Sequence, residues 1–97
     1  MQREEAIRRL AENLTVLREC YDVANLSIFG SVARNQAIPG SDIDLLVEFS
    51  KTPGLFRYME LKKHLENLLG SPVDLVTPKA LKHKLRAGIL AEAIHVS

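Results

Sequence analysis

The sequence contains one cysteine, Cys20, so no disulfide can close within the chain, and a reducing compartment fits best. Neither sign of charge is in excess. Thirteen Lys and Arg face twelve Asp and Glu, a formal net charge of +1, which leaves no global field to steer the chain toward nucleic acid or a membrane surface. No apolar run approaches the about 18 residues of a spanning helix, and no signal-peptide pattern opens the chain, so a soluble cytoplasmic protein is expected. Histidine is sparse and scattered. His64, His83 and His95 fall in separate segments without ligand spacing, which excludes a zinc site and makes them surface residues. No internal repeat or low-complexity tract is present. The 97 residues are expected to form one small domain, 1–97, that buries about 60–70% of its unfolded surface around a thin core.

What the sequence does hold is concentrated between Leu26 and Phe49. A short apolar run, Leu26, Ile28 and Phe29, stops at Gly30-Ser31; ten residues intervene; then Asp42-Ile43-Asp44 opens a second run. In that run Ile43, Leu45, Val47 and Phe49 fall on one side of an extended chain, and Asp42 and Asp44 on the other. The two carboxylates then stand roughly 6.6 Å apart along the backbone, at about 3.3 Å per residue. Like charges so close repel, which suggests a cation between them. Oxygen donors with little nitrogen or sulfur nearby favour a hard ion such as Mg²⁺. Gly30-Ser31 supplies the counterpart. A strand that turns straight into a helix leaves free backbone N–H groups, a seat for phosphate. Glycine permits close approach of the backbone, and the Ser31 hydroxyl can add a hydrogen bond. Metal and phosphate seats side by side are the parts of a phosphoryl- or nucleotidyl-transfer site.

At these residues the chain resembles the minimal nucleotidyltransferases of the polymerase-beta-like superfamily, antitoxins of the HEPN/MNT toxin–antitoxin type. The shared signature is Gly-Ser, ten residues, then Asp-x-Asp, here Gly30-Ser31, Val32 to Ser41 and Asp42-Ile43-Asp44. The flanks FGSVAR and SDIDLLVEF resemble it too, and the likeness extends through PVDLV over nearly the whole chain. Asn35 departs from it, standing where such proteins often carry a second glycine, but asparagine tolerates a left-handed turn. The resemblance implies a third acidic residue, and Asp74 is the position that matches. It also hints that Arg34 clamps a triphosphate; an isolated arginine equally often pins a turn through a surface ion pair, worth about 0–1 kcal/mol.

Along the rest of the chain, Ile7, Leu10, Leu14 and Leu17 predict one amphipathic helix from Arg3 to Cys20, with Glu4–Arg8 and Glu5–Arg9 pairs on its outer face. Leu26–Phe29 is the expected first strand, and a short helix from Ser31 to Asn35 leads into a Pro39-Gly40 turn. After a second strand, Asp42 to Glu48, the positions Tyr58, Leu61, Leu65 and Leu68 predict a helix from Leu55 to Leu69, stopped by Gly70 and Pro72. Val73 and Leu75 share one face of a third strand, Val73–Val76, and Asp74 takes the other. Beside the second strand, Asp74 would join Asp42 and Asp44; otherwise it is an edge-strand aspartate or a helix-capping acid. Thr77-Pro78 reads as a helix start, with Leu81 and Leu85 as the apolar face of a basic last helix. That basic run reads as a solvated face, or as a surface for nucleotide phosphates or an acidic partner. The tail Ala93 to Val96 adds an edge strand.

The expected fold is α/β, a small mixed sheet of about three to five strands with helices packed mainly on one face, in a polymerase-beta-like core. The expected chemistry is nucleotidyl transfer. Asp42, Asp44 and Asp74 hold two Mg²⁺ ions, Gly30 and Ser31 grip the outer phosphates, and attack at the α-phosphorus releases pyrophosphate. By resemblance the donor is ATP and the acceptor a HEPN-type toxin modified with AMP, in a hetero-oligomer, since 97 residues leave no room for an acceptor domain. No nucleic acid or membrane is expected as a partner. The rival readings are a catalytically silent module that neutralises a partner by contact, and transfer to a small molecule such as an aminoglycoside.

Overall fold

Strand β2 (Ile43–Phe49) lies inside the sheet of the computed structural model, which describes residues 1–97. Its neighbours are β1 (Val23–Phe29), antiparallel, and β3 (Val73–Val76), parallel; β4 (Ile94–His95) adds antiparallel to the far side of β1, giving the order β3-β2-β1-β4. The parallel pair is joined by α4 (Leu55–Leu69), the crossover that parallel strands require. The result is the mixed α/β sheet that the sequence implies.

Alternation decides which face is dry. Ile43, Leu45 and Val47 of β2, Leu26 and Ile28 of β1, and Val73 and Leu75 of β3 all enter one cluster of 18 buried apolar residues. Leu61, Leu65 and Leu69 of α4 cover that face together with Leu10, Leu14 and Leu17. Each fully buried leucine contributes about 1.5–3 kcal/mol relative to exposure, so this single layer carries much of the stability. Phe29 and Leu46 are also buried but lie outside the cluster, on the opposite face that carries Asp44.

The N-terminal segment is two helices where the spacing predicted one. Helix α1 (Arg3–Glu12) and helix α2 (Leu14–Tyr21) meet at Asn13, whose φ of −106° and ψ of 4° leave the helical region. Asparagine side chains compete with helical bonding, and here Asn13 Oδ1 lies 2.9 Å from His64 Nε2 on α4. The break also exchanges one inner position: Ala6 is fully buried, while Ile7 is only half-buried. The Glu5–Arg9 pair forms at 2.9 Å; Arg8 instead bonds Glu5 and Glu12, leaving Glu4 to Arg3.

Other boundaries move little. Strand β1 starts at Val23 rather than Leu26, and β2 runs Ile43–Phe49 rather than Asp42–Glu48. Helix α4 and strand β3 match the prediction, and Gly70, at φ 67°, closes α4 with a bond from its N–H to the Glu66 carbonyl. On α4 the buried position is Leu69, and Leu68 is half-buried.

The C-terminal segment differs most. Pro78–Ala80 makes only a 3-10 turn, without a side-chain cap from Thr77, and α5 spans His83–Glu92. The expected apolar face does not bury: no residue of α5 is buried, Leu85 is exposed, and Leu81, just ahead of the helix, is half-buried. Arg86 turns inward in their stead, its guanidinium donating to the Pro78 carbonyl at 2.8 Å. The tail forms its edge strand and is anchored by Val96, which is 1% exposed and donates its N–H to Leu26 O. No helix is long and apolar enough to cross a membrane.

Candidate active site

The Gly-Ser motif sits where β1 ends. Phe29 is extended, and the next residue, Gly30, takes φ 73° to open the four-residue helix α3 (Gly30–Ala33) rather than the expected Ser31–Asn35. Asn35 then turns left-handed at φ 55°, the conformation expected of it, and its Oδ1 accepts the Arg3 N–H at 3.2 Å. Ser31 is half-buried beside Gly30.

The carboxylates come from the two parallel strands. In the ladders Phe29 faces Asp44, and Asp44 faces Asp74 on the neighbouring strand. Adjacent strands lie about 4.8 Å apart, so register alone brings Asp44 and Asp74 together on the face opposite the main core. Asp42 stands exposed just ahead of β2. Asp44 is half-buried between them, and its carboxyl is pushed above the usual carboxylate range. Burial is the largest cause, followed by the charges of Asp74 and Asp42; Arg34 opposes the rise and Glu92 adds to it. Behind the site, Tyr58 of α4 donates its hydroxyl proton to the Leu75 carbonyl, and burial together with Asp74 holds the phenol above its ordinary range.

Arg34 forms an ion pair, with Glu92 of α5 at 2.9 Å, and its Nε donates to Gln36 Oε1 at 3.1 Å. Glu92 is the residue that sequence reasoning missed. It also accepts the Gly30 N–H at 3.1 Å, and both donors hold its carboxyl below the usual range. The available signal was modest: Glu92 is the sole acidic side chain after Asp74, in the most basic segment of the chain.

No three His, Cys, Asp or Glu side chains gather closely enough to hold a metal ion together, so Asp42, Asp44 and Asp74 are not drawn into one three-carboxylate cluster. The donor chemistry nevertheless fits a hard divalent cation: carboxylate oxygens set side by side on paired strands, Asp44's proton affinity raised by the charges of its neighbours, with no competing sulfur or nitrogen. A cavity of about 670 Å³ lies elsewhere, beyond the end of β3 among Phe49, Tyr58, Pro78 and Arg86, and is not lined by Asp42, Asp44 or Asp74.

Residues 7–96 match the family described as the nucleotidyltransferase domain. The chain belongs to that family. It is a nucleotidyltransferase of the minimal kind. It is 39% identical over 93 residues to the protein adenylyltransferase MntA of Thermococcus cleftensis, covering 96% of this chain and 94% of the relative. Among solved structures, one described as a minimal nucleotidyltransferase is 39% identical, with a TM-score of 0.79 over 97% of this chain and 95% of that one. A chain from the complex of a tri-AMPylated HEPN toxin with its MNT antitoxin, from Shewanella oneidensis, shares the fold: TM-score 0.69, 20% identity, covering 99% of this nucleotidyltransferase and 72% of that chain.

Proposed function

We propose that the domain transfers AMP from ATP to a hydroxyl of a partner protein, a toxin of HEPN type, and so acts as its antitoxin. The observation that carries this reading is the ladder itself, which aligns Phe29, Asp44 and Asp74 across β1, β2 and β3 and sets the carboxylates beside the Gly30 turn. The MntA relative, similar over nearly its whole length and named for protein adenylylation, supports the acceptor class.

In this reading Asp42, Asp44 and Asp74 hold two Mg²⁺ ions, and Gly30, Ser31 and Arg34 hold the outer phosphates of ATP. Bound Mg²⁺ supplies charge neutralisation of the triphosphate and of the oxygens that enter and leave at the α-phosphorus. The chain's own contribution is placement. Gly30 brings a backbone N–H within reach of a phosphate oxygen, Ser31 adds a hydroxyl, and Arg34 adds a fixed positive charge. In the same reading Asp74, which is exposed at the edge strand, accepts the proton of an acceptor hydroxyl as that oxygen attacks phosphorus and pyrophosphate departs.

The test is intact-mass spectrometry of a cognate HEPN partner incubated with the domain, ATP and Mg²⁺. One or more AMP additions are expected. An unmodified partner that is nonetheless neutralised would show that contact alone is responsible.

A further inference from the structure

Glu92 occupies the donors that the preceding reading assigns to phosphate. Its Oε1 accepts the Gly30 N–H at 3.1 Å, and Arg34 Nη1 donates to Oε1 at 3.1 Å and Oε2 at 2.9 Å. A backbone amide and a guanidinium are the pair of donors that an outer phosphate oxygen would take. The contact is long-range, 62 residues from Gly30, so local chain geometry does not impose it. The side chain that makes it rides on an element held loosely at both ends. Helix α5 buries none of its residues, the flanking Lys82 and Ala93 are extended at ψ 137° and 134°, and immediately beyond it the two-residue β4 and Val96 tie the chain to the sheet. Ser27 pairs with His95 and Ile28 with Ile94, so the tether lies immediately beyond the helix end.

We propose that Glu92 is an internal latch, a carboxylate that stands in for phosphate on Gly30 and Arg34 and that an incoming triphosphate must displace by moving the end of α5. The inference rests on the assignment of Gly30, Ser31 and Arg34 to the triphosphate. Displacement is easy in physical terms, because the Arg34–Glu92 pair is partly exposed and α5 has little packing to lose. It also removes a negative charge from the vicinity of Asp44, a group whose proton affinity Glu92 raises. An anion therefore meets a less repulsive site once the latch is open.

Calorimetric titration of wild type, Glu92→Gln and Glu92→Ala with inorganic tripolyphosphate, and separately with a non-hydrolysable ATP analogue plus Mg²⁺, tests this. Both variants are expected to bind about three- to tenfold more tightly than wild type, the range of a charged hydrogen bond on a partly exposed site. Amide exchange across α5 of the wild type should quicken when tripolyphosphate is added. Equal binding in all three proteins overturns the latch, and weaker binding in the variants overturns it in favour of Glu92 as a strut that positions Arg34. Ser31→Ala separates the two assignments. If it weakens binding while the Glu92 variants match wild type, the phosphate seat stands and the latch falls. If no protein, wild type included, binds either ligand, both fall.

Discussion

The Asp44 carboxylate lies directly against the Cα of Gly30, so that a Cβ at residue 30 would stand 2.0 Å from Asp44 Oδ2 and 2.9 Å from its Cγ. The glycine is required twice, once for its positive φ and once for this contact. Closeness of backbone to phosphate, the reason that the motif suggests from sequence, is therefore accompanied by closeness to a carboxylate.

Gly30→Ala should cost about 1–2 kcal/mol from the left-handed backbone alone, with a further loss from pushing Asp44 aside. For a domain of this size each kcal/mol lowers Tm by about 4–8 °C. The double variant Gly30→Ala with Asp44→Ala removes the 2.0 Å and 2.9 Å clashes, leaves a tight 3.2 Å between the two Cβ atoms, and keeps the backbone strain. Its melting temperature should therefore lie above the sum of the two single losses; strict additivity would show that the two residues do not meet.

The pH dependence of stability follows from Asp44. Its folded carboxyl is raised above the ordinary 3.8, so between that value and the raised one the folded chain binds more protons than the unfolded chain. Stability contributed by this group is thus present at low pH and lost as pH rises through the folded value. Melting curves in a chelator should show Asp44→Asn gaining on wild type as pH increases through that window. A constant difference from acid to neutral pH would contradict the assignment.

Divalent cations should reverse that penalty. Binding to the folded chain alone raises stability by mass action, about 2.7 kcal/mol at a hundredfold excess over Kd. Mg²⁺ should therefore raise the Tm of wild type and leave Asp42→Asn with Asp44→Asn nearly unmoved, whereas an equal rise in both proteins places the ion elsewhere.

The sequence was legible where one element sufficed to decide. The alternation from Ile43 to Phe49 placed Asp44 on the face away from the core, and the α4 spacing with Gly70 set a helix of the observed length. It was not legible where partners lie far apart in the chain. Asn13 breaks the first helix beside His64, 51 residues away, and nothing near Asn13 announces that neighbour. Leu81 and Leu85 have helical spacing, but spacing cannot tell whether another element arrives to cover them; Leu85 stays exposed and Leu81 is only half-buried. Glu92 is illegible for the same reason, since its two donors lie 62 and 58 residues earlier in the chain. Arg34 shows the middle case. Both of its alternatives, phosphate clamp and surface ion pair, were open, and the ion pair that forms involves a residue the sequence did not nominate.

Asp74 gives the sharpest separation of catalysis from binding. It is exposed on the edge strand β3, and its ladder partner is Asp44, so Asp74→Asn changes charge without disturbing the core beneath. Thermal stability should hold or rise slightly, because one of the charges that crowd Asp44 is removed. Complex formation with a HEPN partner should survive, measured by co-purification at equal yield. AMP transfer in the mass assay should fall at least about a hundredfold, the scale of a lost general base or metal contact. The two roles separate by pH. If Asp74 accepts the hydroxyl proton, raising the pH should recover part of the variant's rate, as hydroxide and an ionising acceptor replace the missing base; if it serves only to hold metal, raised Mg²⁺ should restore the rate and pH should not. Undiminished transfer by Asp74→Asn under both regimes would remove the residue from the site.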